Sequence, residues 1–205
     1  MAFFFSNFNS FGNTPFMKET DSLHYTNKII PNSILEEAEK ALSFYPELKD
    51  TEIEIRFKDN IKKSFMQAQP QFTSLFKKRS NRKYYIKIGK NFVIDGEEIE
   101  VTDIPSDVLV GWIGHELGHI IDYKNRSGFN LITFGMSYII SKNFLMDAER
   151  AADTYAVNHG MADYILATKD FILGHAGLSE EYRERIKRLY LSPEEILEIV
   201  EEIKE

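Results

Sequence analysis

The stretch His115-Glu116-Leu117-Gly118-His119 is the most informative part of the chain. On a helix, two histidines four residues apart share a face and lie one turn apart, so both imidazoles can reach one metal ion. Glu116, beside the first histidine, can act as a base toward a metal-bound water. Zinc fits best, because it accepts nitrogen and carboxylate ligands and lowers the pKa of bound water to about 7. The stretch therefore predicts a helical zinc site.

Apolar residues at helical spacing surround this motif and place it on a core helix. They are Val108, Leu109, Trp112, Ile113, Leu117, Ile120 and Ile121. The alternative is a pair of surface histidines with no metal. That alternative is disfavoured because imidazole and carboxylate groups inside a core cost several kcal/mol unless they have partners, and a metal ion provides partners.

Length and composition indicate a single domain with an ample core, since 43% of the 205 residues are hydrophobic and 16 are Phe. The absence of Cys excludes a thiolate zinc cluster, a disulfide framework and a cysteine nucleophile. We divide the chain into an N-terminal aromatic arm, residues 1–30, and one domain, residues 31–205. The Phe-rich start lacks the pattern of a signal peptide, so a cytoplasmic protein is predicted. The arm either packs on the domain or touches a partner or a membrane.

Charge is distributed unevenly around a net value of −7. Residues 58–90 hold ten Lys and Arg against one Asp, and residues 194–205 hold six Glu and one Lys. Such asymmetry fits either a surface for nucleic acid or an acidic partner, or two faces that attract each other within one molecule. We favour the second interpretation and expect no nucleic-acid partner, because no base-stacking motif accompanies the basic residues.

The order of elements predicts an α+β domain with a small antiparallel sheet. Helices are predicted at 34–45, 107–123, 147–158, 161–173, 179–191 and 193–204, and strands at 51–57, 84–88, 92–94 and 98–101. Ser33 and Ser192 are the predicted N-caps of the first and last helices. The apolar stretch 129–146 is shorter than the roughly 20 residues of a membrane-spanning helix. We interpret it as a buried or interfacial helix, which leaves peripheral membrane contact open.

A catalytic zinc usually takes three protein ligands, so a third must come from elsewhere in the chain. Glu149 and Asp153 are four residues apart and share a helix face with Ala152 and Ala156, which allow close approach to another helix. Glu149 can bind zinc, and Asp153 can accept the outer N–H of a ligating histidine. The alternative is that both are ordinary surface acids.

Thirty residues after the HExxH motif comes the stretch Glu149-Arg150-Ala151-Ala152-Asp153. This pair of motifs resembles the one found in the gluzincin clan of zinc metallopeptidases. Within that clan, the second stretch is similar to the HtpX and CAAX-prenyl-protease type. The lead-in at 106–114 and the late segment around His175 and Arg185 are similar too, although Ala176 stands where the family usually has Pro. Because integral members carry flanking membrane spans, the chain resembles a soluble relative of the minigluzincin kind.

The resemblance implies a zincin-like fold with Zn²⁺ on His115, His119 and Glu149. Glu116 would be the general base and then the general acid, and Asp153 would orient a ligating histidine, preferably His115. Candidates for stabilising the oxyanion of the reaction are His175, the first choice, and then His159, Tyr155, Arg183 and Arg185.

The resulting prediction is a zinc metalloendopeptidase that acts on a peptide or protein substrate. An extended peptide is expected to add to the strand near residues 84–89 by β-augmentation. The first alternative is a non-catalytic or latent zinc-binding regulatory protein. The second is a protein that docks on a membrane surface through its Phe-rich start or through residues 131–146.

Overall fold

A mixed four-stranded sheet lies against a set of α-helices in the computed structural model, which describes residues 27–59, 65–94, 97–174 and 180–205. The described helices are α1 (Leu35–Ser43), α2 (Ser106–Asn125), α3 (Gly128–Ile140), α4 (Lys142–Asn158), α5 (Ala162–Gly174), α6 (Glu180–Leu189) and α7 (Pro193–Lys204). The strands are β1 (Lys28–Ile29), β2 (Glu52–Lys58), β3 (Met66–Pro70), β4 (Lys83–Gly89), β5 (Asn91–Ile94) and β6 (Glu97–Glu100). The predicted α+β class is therefore confirmed.

The sheet has the strand order β1-β2-β4-β3, and its pairing differs from the prediction. β1, β2 and β4 run parallel, and only β3 is antiparallel to its neighbour β4. The expectation of an antiparallel main sheet is wrong because β3, which was not predicted, lies between β2 and β4 in sequence and reverses the chain. The separate β5–β6 pair is antiparallel, as expected.

Strand β4 lies between β2 and β3, so it has no free edge. The prediction that a peptide adds to residues 84–89 is therefore wrong. Within the described residues, β3 pairs with β4 alone and forms the edge of the sheet. Any strand addition at this end of the sheet has to use β3.

Two helices begin differently from the prediction, α1 in its cap and α4 in its first residue. Ser33 lies inside a short 3₁₀ helix, and α1 begins after Ile34 without a side-chain cap. The apolar stretch 129–146 is divided at Ser141, which caps α4 by accepting a hydrogen bond from the N–H of Phe144 at 3.3 Å. The predicted capping box of Ser192 and Glu195 at the start of α7 is confirmed.

Helix α2 is the centre of the fold and packs against α1, α4, α5 and β3. Its glycines permit this close packing. A Cβ on Gly118 would come within 2.5 Å of the Ala152 carbonyl oxygen on α4, and one on Gly111 within 2.3 Å of the Tyr164 carbonyl oxygen on α5. The small residues on both helices therefore bring the backbone of α4, which carries Glu149 and Asp153, directly onto the HExxH helix.

Gly118→Ala is expected to lower the free energy of unfolding by about 1–3 kcal/mol, the usual cost of overpacking. It should also weaken metal binding by the predicted ligands, because it displaces α4, which carries Glu149. Gly135→Ala in α3 is the matched control, since nothing lies within 4 Å of a Cβ at that position. Urea unfolding of the two variants would measure the difference, and equal stability would contradict the proposed close contact.

Helix α7 packs mainly on α4 and α5 rather than on the basic residues of 58–90. Its Glu195 pairs with Arg150 of α4. The described ion pairs of the basic region go to other acids, with Lys83 bonded to Glu52 and Lys90 to Asp59. Among the residues that the structure describes, no ion pair joins the basic and acidic segments.

The N-terminal arm as far as residue 26 lies outside the described residues, and the first described strand, β1, begins at Lys28. Within the described ranges, no helix combines the length and the apolar character needed to cross a membrane.

Candidate metal centre

Three predicted ligands meet between α2 and α4. The Nε2 atom of His115 lies 3.1 Å from Oε2 of Glu149, and Nε2 of His119 lies 3.6 Å from the same oxygen. Ligand atoms of the three residues all lie within 4.8 Å of one another, and all three side chains are buried. The HExxH spacing places the histidines on one face of α2, and the Gly118–Ala152 contact brings Glu149 to them.

The donor atoms of this group fit a metal ion. Nδ1 of His115 lies 2.8 Å from Oδ1 of Asp153, so this nitrogen donates a hydrogen bond to the carboxylate, which leaves the lone pair of Nε2 for a metal ion or a proton. A lone pair that faces a carboxylate oxygen at 3.1 Å requires a cation or a proton between them. Two imidazole nitrogens and one carboxylate are a ligand set that zinc accepts.

Asp153 is the central residue of a buried network behind the ligands and is 1% exposed. One of its oxygens bonds to His115. The other accepts from Nζ of Lys169 at 2.7 Å and from the N–H of Leu191 at 3.1 Å. Lys169, itself buried, also lies over the ring of Tyr190, 4.4 Å from its centroid. The predicted role of Asp153 in orienting His115 thus has a geometric basis.

The charges of this cluster raise the pKa of its histidine His115 and lower the pKa values of its two carboxylates. Burial disfavours protonated His115, but hydrogen bonds to Asp153 and Glu149 outweigh it and raise the pKa of His115 to about 10. Burial would raise the pKa of Glu149, but the two imidazoles hold it well below its usual range. Likewise the positive charges of Lys169 and His115 lower the pKa of Asp153 despite its burial. The metal-free centre therefore holds a proton on His115 where a metal would bind.

This proton makes the stability of the metal-free chain pH-dependent. The folded-state pKa of His115, about 10, lies above the ordinary value of 6.5. The protonated imidazole therefore contributes its full stabilisation to the folded state below pH 6.5, and this stabilisation is lost as the pH rises through about 10. We expect urea unfolding with a chelator to show a lower midpoint at about pH 9 than at about pH 6. Saturating zinc should abolish this fall, because the metal replaces the proton. The same fall with zinc bound would contradict the assignment.

Glu116 is buried beside the ligands and points at the edge strand. Its Oε2 accepts a hydrogen bond from the N–H of Ala68 on β3 at 2.5 Å. Burial raises the pKa of Glu116, although the two histidines and the Ala68 N–H oppose the shift. The hydroxyl of Tyr123 donates to the Ala68 carbonyl oxygen at 3.4 Å, and the Tyr123 ring stacks on that of His119. Helix α2 thus holds both backbone groups of Ala68.

Of the other predicted candidates, His159, Tyr155, Arg183 and Arg185 are among the described residues. His175 lies outside the described residues. His159 caps the end of α4, with Nδ1 donating to the Tyr155 carbonyl oxygen at 2.6 Å and Nε2 at 2.6 Å from Glu47 Oε1. The hydroxyl of Tyr155 accepts from Asn125 at 3.5 Å. His159 and Tyr155 are thus engaged in contacts apart from the ligand group, and Arg185 is exposed on α6.

Sequence analysis missed three participants in the centre: Ala68, Tyr123 and Lys169. A weak alternation of Met and Ala with Gln in 66–70 was the available signal for the edge strand that carries Ala68. Tyr123 lies four residues after His119, on the same helix face, which was a usable signal. For Lys169 no local pattern existed, because its partner Asp153 belongs to a different helix.

Comparisons with protein-family models, with curated proteins and with solved structures give no significant match to this chain. The functional assignment therefore rests on the residues of the centre and on their geometry.

Proposed function

We propose that this chain is a zinc-dependent metalloendopeptidase of the gluzincin type, with a zincin-like fold similar to that of soluble HtpX-like proteins and minigluzincins. The observation that carries the proposal is the convergence of His115 and His119 on one oxygen of Glu149, with the Glu116 carboxylate buried beside them. A purely structural zinc site has no use for this additional, non-ligating carboxylate, whereas hydrolysis requires a base.

When bound, zinc would act as a Lewis acid toward a peptide carbonyl and would lower the pKa of a water. Glu116 takes the proton of the attacking water and later returns it to the leaving nitrogen. Its burial raises its pKa, which makes the protonated form more accessible for that second step. Asp153 keeps His115 in the tautomer whose Nε2 is free to bind the metal.

Edge strand β3 is the place where an extended peptide would add. Phe65 accepts from the N–H of Gly89, and Gln71 donates to the carbonyl of Lys83, so alternate residues of β3 bond to β4. The backbone groups of the residues between them, such as Ala68, point to the opposite side, toward Glu116. A peptide paired with that side of β3 would pass the ligand group.

Glu116→Gln is the variant that tests the proposal. It should lower the cleavage rate of a diverse peptide mixture by about 10²–10⁴-fold, the usual contribution of general acid–base catalysis. About one zinc per chain should remain bound, because Glu116 is not a ligand. Mass spectrometry of the peptides and of the intact metal complex would give both readouts. Unchanged cleavage by Glu116→Gln, or no zinc bound by either protein, would overturn the proposal.

A latent or non-catalytic zinc protein is the second candidate, and one observation favours it. The three ligands are at most 9% exposed, and both outward backbone groups of Ala68 already have partners in α2. A peptide could reach the centre only if these contacts opened. Stoichiometric zinc binding with no cleavage of any peptide, before or after limited proteolysis, would favour this candidate.

A further inference from the structure

Three phenylalanine side chains project into solvent. Phe72 is 72% exposed, Phe76 73% and Phe129 76%. Phe72 and Phe76 flank Ser74 and Leu75, which are buried. The middle residues of this short turn therefore point into the protein, and the two rings point into solvent. Exposed rings do not contribute the stability that burial would give, and a cluster of them marks a contact surface.

The segment that carries Phe72 and Phe76 contacts the start of α3, which carries Phe129. Gly128, at the start of α3, packs against the residue that precedes Phe76: a Cβ on Gly128 would come within 2.4 Å of the Leu75 carbonyl oxygen. Buried Arg82 fixes the same junction by donating to the Arg126 carbonyl oxygen at 2.7 Å. Phe76 follows Leu75 in the chain, and Phe129 follows Gly128. The two phenylalanines therefore lie on adjacent backbone segments.

Three exposed cations follow Phe76 in the chain, and the stretch of sequence around them holds no acid. Lys77, Lys78 and Arg79 directly follow Phe76 and are exposed, and within the described ranges none of the three forms an ion pair. The sequence from 65 to 94 contains no Asp or Glu, and helix α3 contains no charged residue at all. We call the surface formed by Phe72, Phe76, Phe129, Lys77, Lys78 and Arg79 the aromatic–basic patch.

We propose that the aromatic–basic patch docks the protein on an anionic lipid membrane. Protruding aromatic side chains enter the interface between headgroups and acyl chains, and adjacent Lys and Arg bind anionic headgroups. This combination of exposed apolar rings with exposed cations that form no ion pair within the described residues complements a lipid surface in both polarity and charge. The proposal does not rest on peptidase activity, but it would hold the adjoining edge strand β3 near the membrane surface.

The test uses the full-length chain and co-sedimentation with two kinds of vesicles, phosphatidylcholine alone and phosphatidylcholine with phosphatidylserine. Wild type should bind the anionic vesicles more tightly, with an affinity that falls as salt rises. Lys77→Gln/Lys78→Gln/Arg79→Gln should weaken binding roughly 100-fold, at roughly fivefold per cation. Phe72→Ser/Phe76→Ser/Phe129→Ser should weaken it by about tenfold or more.

Matched controls keep the result specific to the patch. Lys40→Gln/Lys49→Gln/Lys204→Gln removes three exposed cations elsewhere, and Leu197→Ser/Ile203→Ser removes exposed apolar side chains from acidic α7. Both controls should bind like wild type, and all variants should keep the circular dichroism spectrum of the wild type. The proposal is overturned if the wild-type protein does not bind anionic vesicles. It is also overturned if both patch variants bind them as tightly as wild type, because the membrane contact would then lie in another segment. Equal binding to single-stranded nucleic acid, lost in the same variants, would also overturn it.

Discussion

Glu149→Ala is expected to abolish tight zinc binding. Glu149 supplies the only carboxylate that the described part of the structure places with His115 and His119 as a ligand group, with its Oε2 at 3.1 Å and 3.6 Å from their Nε2 atoms. Losing a partner outside the ligand set usually costs about 10–100-fold in metal affinity, and losing a ligand should cost more. Glu149→Gln should behave in the same way, because it keeps the shape of the side chain but removes its charge.

Zinc affinity measured by competition with a fluorescent chelator would give the size of this effect. Asp147→Ala is the matched control, since Asp147 is an exposed acid on the same helix, two residues away. Its affinity for zinc should equal that of wild type. If Glu149→Ala also bound zinc as tightly as wild type, the third ligand would have to be another residue. The proposal that α4 supplies this ligand would then be wrong.

The ligand set could be predicted because each half of it is local. His115 and His119 are four residues apart, as are Glu149 and Asp153, and the helical period alone places each pair on one face. What brings the two faces together is the absence of a side chain at Gly118, which lets α2 lie directly on the backbone of α4 at the small residue Ala152. Spacing alone left open that Glu149 and Asp153 are ordinary surface acids, and the resemblance to gluzincin motifs favoured the metal site. Neither source of the prediction needed knowledge of the sheet.

The edge of the sheet could not be predicted in the same way. Met66 to Pro70 is short and rich in Gln, and a Pro usually argues against a strand. Pro70 is tolerated here because β3 is an edge, where the N–H that Pro lacks would point away from β4. The parallel pairing of β2 with β4 depends on this missed strand. Strand order is a property of long-range contacts, and local alternation carries no information about it.

Lys169→Met is expected to destabilise the protein by about 3–5 kcal/mol, the usual cost of removing one partner of a buried ion pair. Its amine lies 2.7 Å from Asp153 Oδ2, and both residues are at most 5% exposed. Without Lys169 the Asp153 carboxylate would keep only uncharged donors at that oxygen, namely the Leu191 N–H. Zinc affinity should fall as well, because Asp153 would be held less firmly as the acceptor for His115.

Two further variants separate this charge effect from a loss of packing. Asp153→Asn/Lys169→Met should be more stable than Lys169→Met alone, because it leaves no uncompensated charge in the core, yet it should bind zinc about 10–100-fold more weakly than wild type. Lys187→Met removes an exposed lysine paired with Glu184 and should leave both properties unchanged. Urea unfolding and zinc competition measure the two properties independently. If Lys169→Met were as stable as wild type, Asp153 would have to be neutralised by another group, and the charge balance assigned to the centre would be wrong.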